Sequence, residues 1–344
     1  MESDVLGTPY EQRRITLDPD DEGEVVATLV SRRATQPTNR AVLYIHGWVD
    51  YFFQTHLAEF FTERGWDFYA LDLRKYGRSL LPHQTANFAR SMAEYFPEID
   101  EAIRIIREED GHDTVLVNGH SMGGLVTAVW AHRVRGRGVV QGLFLNSPFF
   151  EFNEPWIVRK GLPPLVNLLG AMRPYAGMPQ ELGKTYGHSL HRDHHGEWDY
   201  DLTWKPLQGY KIYAGWVRAI RHAHKQVQAG LAIDVPVLVG CSAKSYRGDV
   251  AEEAHHADAV LNVQHISRFA PRLGPDVTLV QIEGGKHDLT LSRAAARDRL
   301  FTVLDGWLVA TFDTASPDRA AVSDSTPVSK PDRAAVPPPA DGLG

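Results

Sequence analysis

The stretch Asn118-Gly119-His120-Ser121-Met122-Gly123-Gly124 leaves this chain few ways to fold. An apolar run, Thr114-Val115-Leu116-Val117, leads into it, and a helix-compatible run from Leu125 to Ala131 leads out. Residues 119–123 read G-x-S-x-G between a strand and a helix, which is the pattern of a nucleophile elbow. So tight a turn crowds its flanking positions, so glycine is needed two residues before the serine and two after. The turn lifts the Ser121 hydroxyl above a sheet edge. It also leaves the Met122 N–H at a helix N-terminus, where free backbone donors can hold an anion. A glycine-rich turn with an incidental serine is the plainer alternative; the flanking strand and helix weigh against it.

The rest of the chain supplies matching parts. Ala41–Ile45, Asp67–Leu71, Val139–Leu145, Val235–Val239 and Val277–Ile282 are short apolar runs, as expected of strands buried on both faces. Between them, residues 56–65, Met92–Glu109, the stretch from the elbow to about Arg135, and Leu289–Val309 read as helices. This alternation predicts an α/β fold with a doubly wound, mainly parallel sheet, its core formed by residues 23–148 and 234–312. Glu24–Val30 reads as an edge strand, and the polar residues 1–22 as a loosely packed lead-in. Across 149–233 the alternation fails, and this stretch carries four of the eight tryptophans (Trp156, Trp198, Trp204 and Trp216), so an inserted cap is expected. From 313 to 344 Pro, Ala, Ser and Asp dominate, and Pro-Asp-Arg-Ala-Ala-Val occurs at 317–322 and 331–336. Two copies without apolar periodicity predict a disordered tail rather than a repeat fold.

Composition narrows the function classes. The net charge of −7 gives no basic footprint, so a nucleic-acid partner is not expected. A single cysteine, Cys241, allows no internal disulfide. Met1-Glu2-Ser3-Asp4 opens no apolar signal region, and no run approaches the ~20 apolar residues of a membrane span. A cytoplasmic enzyme is the expectation, with at most transient contact with a lipid surface.

A serine hydroxyl needs a base, a group to orient that base, and donors for the developing oxyanion. Behind an elbow of this type the acid and then the histidine follow along the chain. His287, in Gly284-Gly285-Lys286-His287-Asp288, falls just past the last strand and is the candidate base. The acid should follow the strand at 235–239. The early position holds Lys244, leaving Asp258 as the favoured candidate and Asp249 as the alternative. Asp288 adjoins His287 but is poorly placed to reach its Nδ1, so a surface role is expected for it. A second oxyanion donor is expected just after the first buried strand, at the Trp48 N–H, with Met122 as the first. His46, Gly47, His120, Phe149 and Trp156 are candidates for the substrate site. His188, His191, His194 and His195 beside Asp193 could suggest a metal, but a polar loop of histidines is more often solvated. No cofactor and no metal are expected.

Taken together, His46-Gly47-Trp48, Asp72-x-Arg74-x-x-Gly77-x-Ser79, Gly119-His120-Ser121-Met122-Gly123-Gly124 and Gly284-Gly285-x-His287 resemble the α/β-hydrolase superfamily. The likeness is to its monoacylglycerol lipase, lysophospholipase and serine aminopeptidase S33-like branch. It covers residues 24–310 in order and implies Ser121 as nucleophile, His287 as base, and the Trp48 and Met122 N–H groups as oxyanion hole. Asp258-Ala259-Val260-Leu261-Asn262-Val263 matches the family's acid-bearing stretch, with Asn262 for its second Asp and Val263 for its Pro, though it stands further from the strand.

The apolar stretch 149–172 reads either as the roof of an acyl tunnel or as packing of the cap on the core. The expected reaction is acyl-enzyme hydrolysis of monoacylglycerol, lysophospholipid or similar hydrophobic esters. An S33-like aminopeptidase would need a carboxylate-lined pocket, for which only Glu151, Glu154 and Glu181 are at hand. A non-catalytic binding module of the same fold is the reading from another class. Oligomeric state is not readable.

Overall fold

The computed structural model describes residues 2–153, 163–178 and 185–313. Its strands are β1 (Glu2–Ser3), β2 (Glu11–Asp20), β3 (Gly23–Arg32), β4 (Arg40–Ile45), β5 (Asp67–Asp72), β6 (Thr114–His120), β7 (Gly142–Asn146), β8 (Val237–Ser242) and β9 (Val277–Ile282). They form one sheet in the order β1-β2-β3-β5-β4-β6-β7-β8-β9. From β5 to β9 all neighbours are parallel; β1, β2 and β3 are joined antiparallel at one end.

The helices are α1 (Thr55–Thr62), α2 (Phe96–Arg104), α3 (Met122–Val134), α4 (Pro163–Met172), α5 (Thr185–Leu190), α6 (Ala214–Ala229), α7 (Val263–Phe269) and α8 (Ala294–Leu308). Side chains of β4 show why the sheet is wound on both faces. Ala41, Leu43 and Ile45 enter a core shared with α2, α3, α6 and α7. Val42 and Tyr44, pointing the other way, enter a second core with Leu57 and Phe61 of α1 and Leu300 and Leu304 of α8. A strand buried on both sides has no polar face to alternate, hence its continuous apolar sequence. Between β7 and β8 the chain leaves the sheet, and α4, α5 and α6 occupy the interval.

Three expectations need correction. Residues 1–22 are not a loose lead-in, for β2 pairs with β3 along nearly its whole length. Ile15 and Leu17 lie on the core side of β2 while its other face is solvated, and that polar face dominated the sequence reading. Glu24–Val30 is consequently not an edge: β3 is flanked by β2 and β5 and is almost wholly buried. The helix expected over Met92–Glu109 is in three pieces, a 3₁₀ turn at Met92–Tyr95, α2, and a π turn at Ile105–Glu109. Pro97 at the start of α2 sets the first break, since its ring suits a helix's first turn and not its interior.

The Asp72–Ser79 stretch fastens the loops behind the sheet edge. Asp72 accepts the Phe52 N–H (2.9 Å) on one oxygen and Arg78 N and Nη1 (3.0 and 2.9 Å) on the other. Arg78 also pairs with Asp4 (2.6 Å), and all three side chains are buried. A Cβ on Gly77 would lie 2.5 Å from Tyr51 Cβ, so the close approach requires glycine. Arg78→Met would leave two buried carboxylates without their cation. The expected cost is about 3–5 kcal/mol, read as a lower urea midpoint at unchanged slope. An unchanged midpoint would show that this ion triad does not hold the loops.

Candidate active site

At the end of β6 the backbone turns through Ser121 at φ 52° and ψ −115°, a conformation L-residues rarely adopt. The glycines around it are there for space. A Cβ on Gly119 would lie 2.7 Å from Thr127 Oγ1, one on Gly123 2.3 Å from the His46 carbonyl, and one on Gly124 2.9 Å from Pro148 Cβ. The elbow is thereby pressed against the loop after β4, and a Cβ on Gly47 would sit 3.1 Å from Ser121 Cβ.

The loop after β9 brings His287 to the same edge. Its Nε2 lies 2.9 Å from Ser121 Oγ and its Nδ1 2.9 Å from Asp258 Oδ2. All three residues are buried. Asp258 is far from β8 in sequence but not in space. Its N–H donates to Lys244 O and its carbonyl accepts from Tyr246 N (2.8 Å each), so the intervening residues loop out and the chain returns to the strand end. The other oxygen, Oδ1, accepts the Val260 and Leu261 N–H groups (2.8 and 2.7 Å), which fixes the carboxylate. Asp249 is exposed, and its hydrogen bond runs from the Tyr246 hydroxyl to its backbone carbonyl.

Neither the Trp48 N–H nor the Met122 N–H has a hydrogen-bond partner among the described residues. Met122 follows Ser121 at the start of α3, and Trp48 follows Gly47, which packs against Ser121. Trp48 is half-buried, its ring 4.9 Å from that of Trp216 on α6.

His46 is not open to a substrate. It is fully buried, its Nε2 accepts the Leu73 N–H (3.0 Å), and its Nδ1–H therefore donates to Gly47 O (2.7 Å). Burial holds its pKa below the ordinary value, so the ring is a neutral brace for the loop. His120 is likewise buried; its ring lies 4.9 Å from the His287 ring and its Nδ1 3.1 Å from Asn146 O. Phe149 is half-buried beside Phe152 and His224, whose pKa burial drives down to about 3. Of the acyl-roof stretch, Leu168 and Met172 of α4 are exposed, whereas Phe150 is core. Trp156, Glu154 and Glu181 lie outside the described residues. Glu151 accepts from Gln228 (3.1 Å).

Asp288 corrects the sequence reading most. It is buried rather than at the surface, accepting from Gln54 Nε2 (3.2 Å), Asn146 Nδ2 (2.7 Å), and Thr290 N and Oγ1 (2.9 and 2.7 Å). Burial pushes its pKa up, but His120 and these donors outweigh burial and hold it below the ordinary carboxylate value. It braces the His287 loop from behind. Adjacency to His287 was the only sequence signal; Gln54 and Asn146 carried none.

Asp50, His120 and Asp288 each bring one possible ligand atom to a buried cluster in which these atoms lie within 4.8 Å of one another. Lys205 occupies Asp50 Oδ1 (2.7 Å), Asp50 Oδ2 is buried without a hydrogen-bond partner among the described residues, and four neutral donors occupy Asp288. In the histidine cluster, His191 is buried and bonded to Tyr200 O (3.3 Å), not solvated as expected, while His194 and His195 are exposed. Cys241 is buried and its thiol is pushed up to about 12, so it does not compete as a nucleophile.

A family profile described as "Serine aminopeptidase, S33" matches residues 36–293, well over half of the chain. The chain belongs to the S33 family of α/β-hydrolases. No curated protein sequence matches it significantly. Among solved structures, a soluble variant of monoglyceride lipase from Saccharomyces cerevisiae, in complex with a substrate analogue, superposes with a TM-score of 0.66 at 16% identity. That match covers 90% of this chain and 97% of the lipase. The monoacylglycerol lipase of Paleococcus ferrophilus gives 0.59 at 19% identity, covering 88% and 99%. Est1E from Butyrivibrio proteoclasticus with ferulic acid bound gives 0.54 at 14%, covering 87% and 99%. At these identities the likeness establishes the S33 chain's fold and not its substrate. Among the described residues no helix is long and apolar enough to cross a membrane.

Proposed function

We propose that the chain is a serine carboxylic-ester hydrolase acting on hydrophobic esters such as monoacylglycerols or lysophospholipids. One observation carries the reading: a single imidazole bridges the Ser121 hydroxyl and the Asp258 carboxylate at 2.9 Å on each side. Asp258 holds the proton of His287 on Nδ1, leaving Nε2 free to accept one. Ser121 Oγ attacks the ester carbonyl while its proton passes to Nε2, and the carbonyl pair becomes an oxyanion facing the Trp48 and Met122 N–H groups. Such a donor contributes roughly 10²–10³-fold in kcat. Collapse expels the alcohol, which takes the proton from His287. A water, deprotonated by Nε2, then attacks the acyl-enzyme; collapse breaks the bond to Ser121 Oγ, which takes the proton back from Nε2 as the acid leaves.

The substrate class rests on the apolar surroundings. Phe149, whose N–H donates to Ser121 O (3.0 Å), packs on Phe152, Trp48 packs against the same core, and Leu168 and Met172 of α4 are exposed. The monoglyceride and monoacylglycerol lipase structures sharing the fold support the same choice. The family description also admits aminopeptidase chemistry, but Glu151, the cap acid among those considered that lies in the described residues, is already bonded to Gln228. Initial rates on p-nitrophenyl acyl esters of rising chain length, set against aminoacyl p-nitroanilides, test the proposal. Esters are expected to turn over at least ~100-fold faster in kcat/KM, a preference of the size that one unmet polar group in a pocket imposes. Preferred turnover of the anilides would overturn the ester reading.

A further inference from the structure

The two loops that carry the chemistry are tied together by one stretch of the insertion, residues 186–205. On the His287 side, the Tyr186 hydroxyl accepts the Asp288 N–H (3.1 Å), Lys286 Nζ donates to Ser189 O (2.6 Å), and Trp198 Nε1 donates to Leu291 O (2.8 Å). On the oxyanion side, the Asp201 N–H donates to the Tyr51 hydroxyl (2.7 Å), and the Trp204 ring meets Tyr51 edge-on at 5.1 Å. The innermost tie is Lys205. Its ammonium, buried with the rest of the side chain, reaches Asp50 Oδ1 (2.7 Å) and the Val49 carbonyl (3.4 Å).

Val49 is where that tie acts. It follows Trp48 directly and has φ 52°, a conformation a β-branched residue adopts only under constraint. Both ends of the residue are held: Asn87 Oδ1 accepts its N–H (3.2 Å) and Lys205 takes its C=O. A buried ion pair is a poor source of stability, because desolvating two charges consumes most of the attraction between them. What such a pair can supply is geometry.

We propose that Lys205 is a positioning residue of the oxyanion hole: by gripping Val49 O and Asp50 it holds the strained turn that presents the Trp48 N–H to the substrate's developing charge. This rests on the ester-hydrolase reading above. It makes the insertion part of the catalytic machinery, since the donor on one side of Ser121 is set by a residue more than 150 positions away in sequence.

The test uses Lys205→Met, which keeps the stem and removes the charge, and Lys205→Arg, which keeps the charge. For each, kcat and KM on a p-nitrophenyl ester are measured with Ki for a trifluoromethyl ketone, whose serine adduct carries an oxyanion. Removing a donor outright costs roughly 10²–10³-fold, so misaiming one is expected to lower kcat by about 10- to 100-fold. KM should stay within about threefold, and Ki should rise by the factor that kcat/KM falls. Lys205→Arg should recover part of the loss. A merely structural role would lower the thermal midpoint but leave Ki and kcat of the folded fraction unchanged, and that result overturns the proposal; so does a loss confined to KM. Should Lys205→Met not fold, Asp50→Asn is read by the same two constants. If Lys205→Met matches wild type while Ser121→Ala is dead, only this inference fails. If Ser121→Ala turns esters over within about tenfold of wild type, the ester-hydrolase reading fails first.

Discussion

Replacing Ser121 by alanine is expected to lower kcat on acyl esters by about 10⁶-fold, because nucleophile, base and acid act as one unit and loss of the first idles the others. A residue of roughly 10³–10⁴-fold over the uncatalysed rate should survive if the proposed Trp48 and Met122 donors polarise a bound carbonyl. The fold should be indifferent to the change. Alanine at φ 52° and ψ −115° carries the same backbone strain as serine, and the lost methylene-bound hydroxyl contacts only His287 among the described residues. Ser121→Gly separates the two properties. It removes the nucleophile equally, but it also relieves strain on the order of 1–3 kcal/mol, against about 0.5–1 kcal/mol of extra chain entropy. Glycine should therefore be as inactive as alanine and more stable by about 1 kcal/mol. Paired kcat and urea-midpoint measurements decide both points. Ester turnover in Ser121→Ala within tenfold of wild type would remove Ser121 from the mechanism.

The elbow was legible because its constraints are local. Gly119, Ser121 and Gly123 are needed within five residues, and the same crowding that demands them is visible in the distances a Cβ would make. His287 was legible for a related reason, since a residue just past a parallel strand must lie at the edge where all those strands end. Asp258 was harder because the segment between Tyr246 and His256 loops out before the chain returns to Lys244 and Ser245, and sequence distance then misreports spatial distance. The supporting shell left almost no trace. Asp50, Gln54, Asn146, Asp288 and Lys205 meet through contacts separated by more than 100 residues, such as Gln54 to Asp288 and Lys205 to Asp50. No short-range pattern encodes such pairings. The misreading of β2 has the opposite origin: half of its side chains do face water, and the polar half dominated the composition.

Asp258→Asn should cost about 10⁴-fold in kcat at neutral pH while leaving the fold intact, and the reason is directional. Oδ1 of Asp258 accepts two backbone N–H groups, from Val260 and Leu261, and Oδ2 takes the His287 Nδ1–H. An asparagine must keep its carbonyl oxygen on the two backbone donors, because turning its NH₂ toward them would set donor against donor. The NH₂ is then forced onto His287 Nδ1, which can meet it only as an acceptor. The ring proton moves to Nε2, where it faces Ser121 Oγ and can no longer receive the serine's proton. Geometry is preserved and the tautomer is reversed, so KM should change little while kcat collapses. Asp249→Asn, an exposed change with no side-chain tie to His287, serves as the control and should leave both constants near wild type. If Asp249→Asn removed activity and Asp258→Asn did not, the acid would have to be reassigned and the loop between them redrawn.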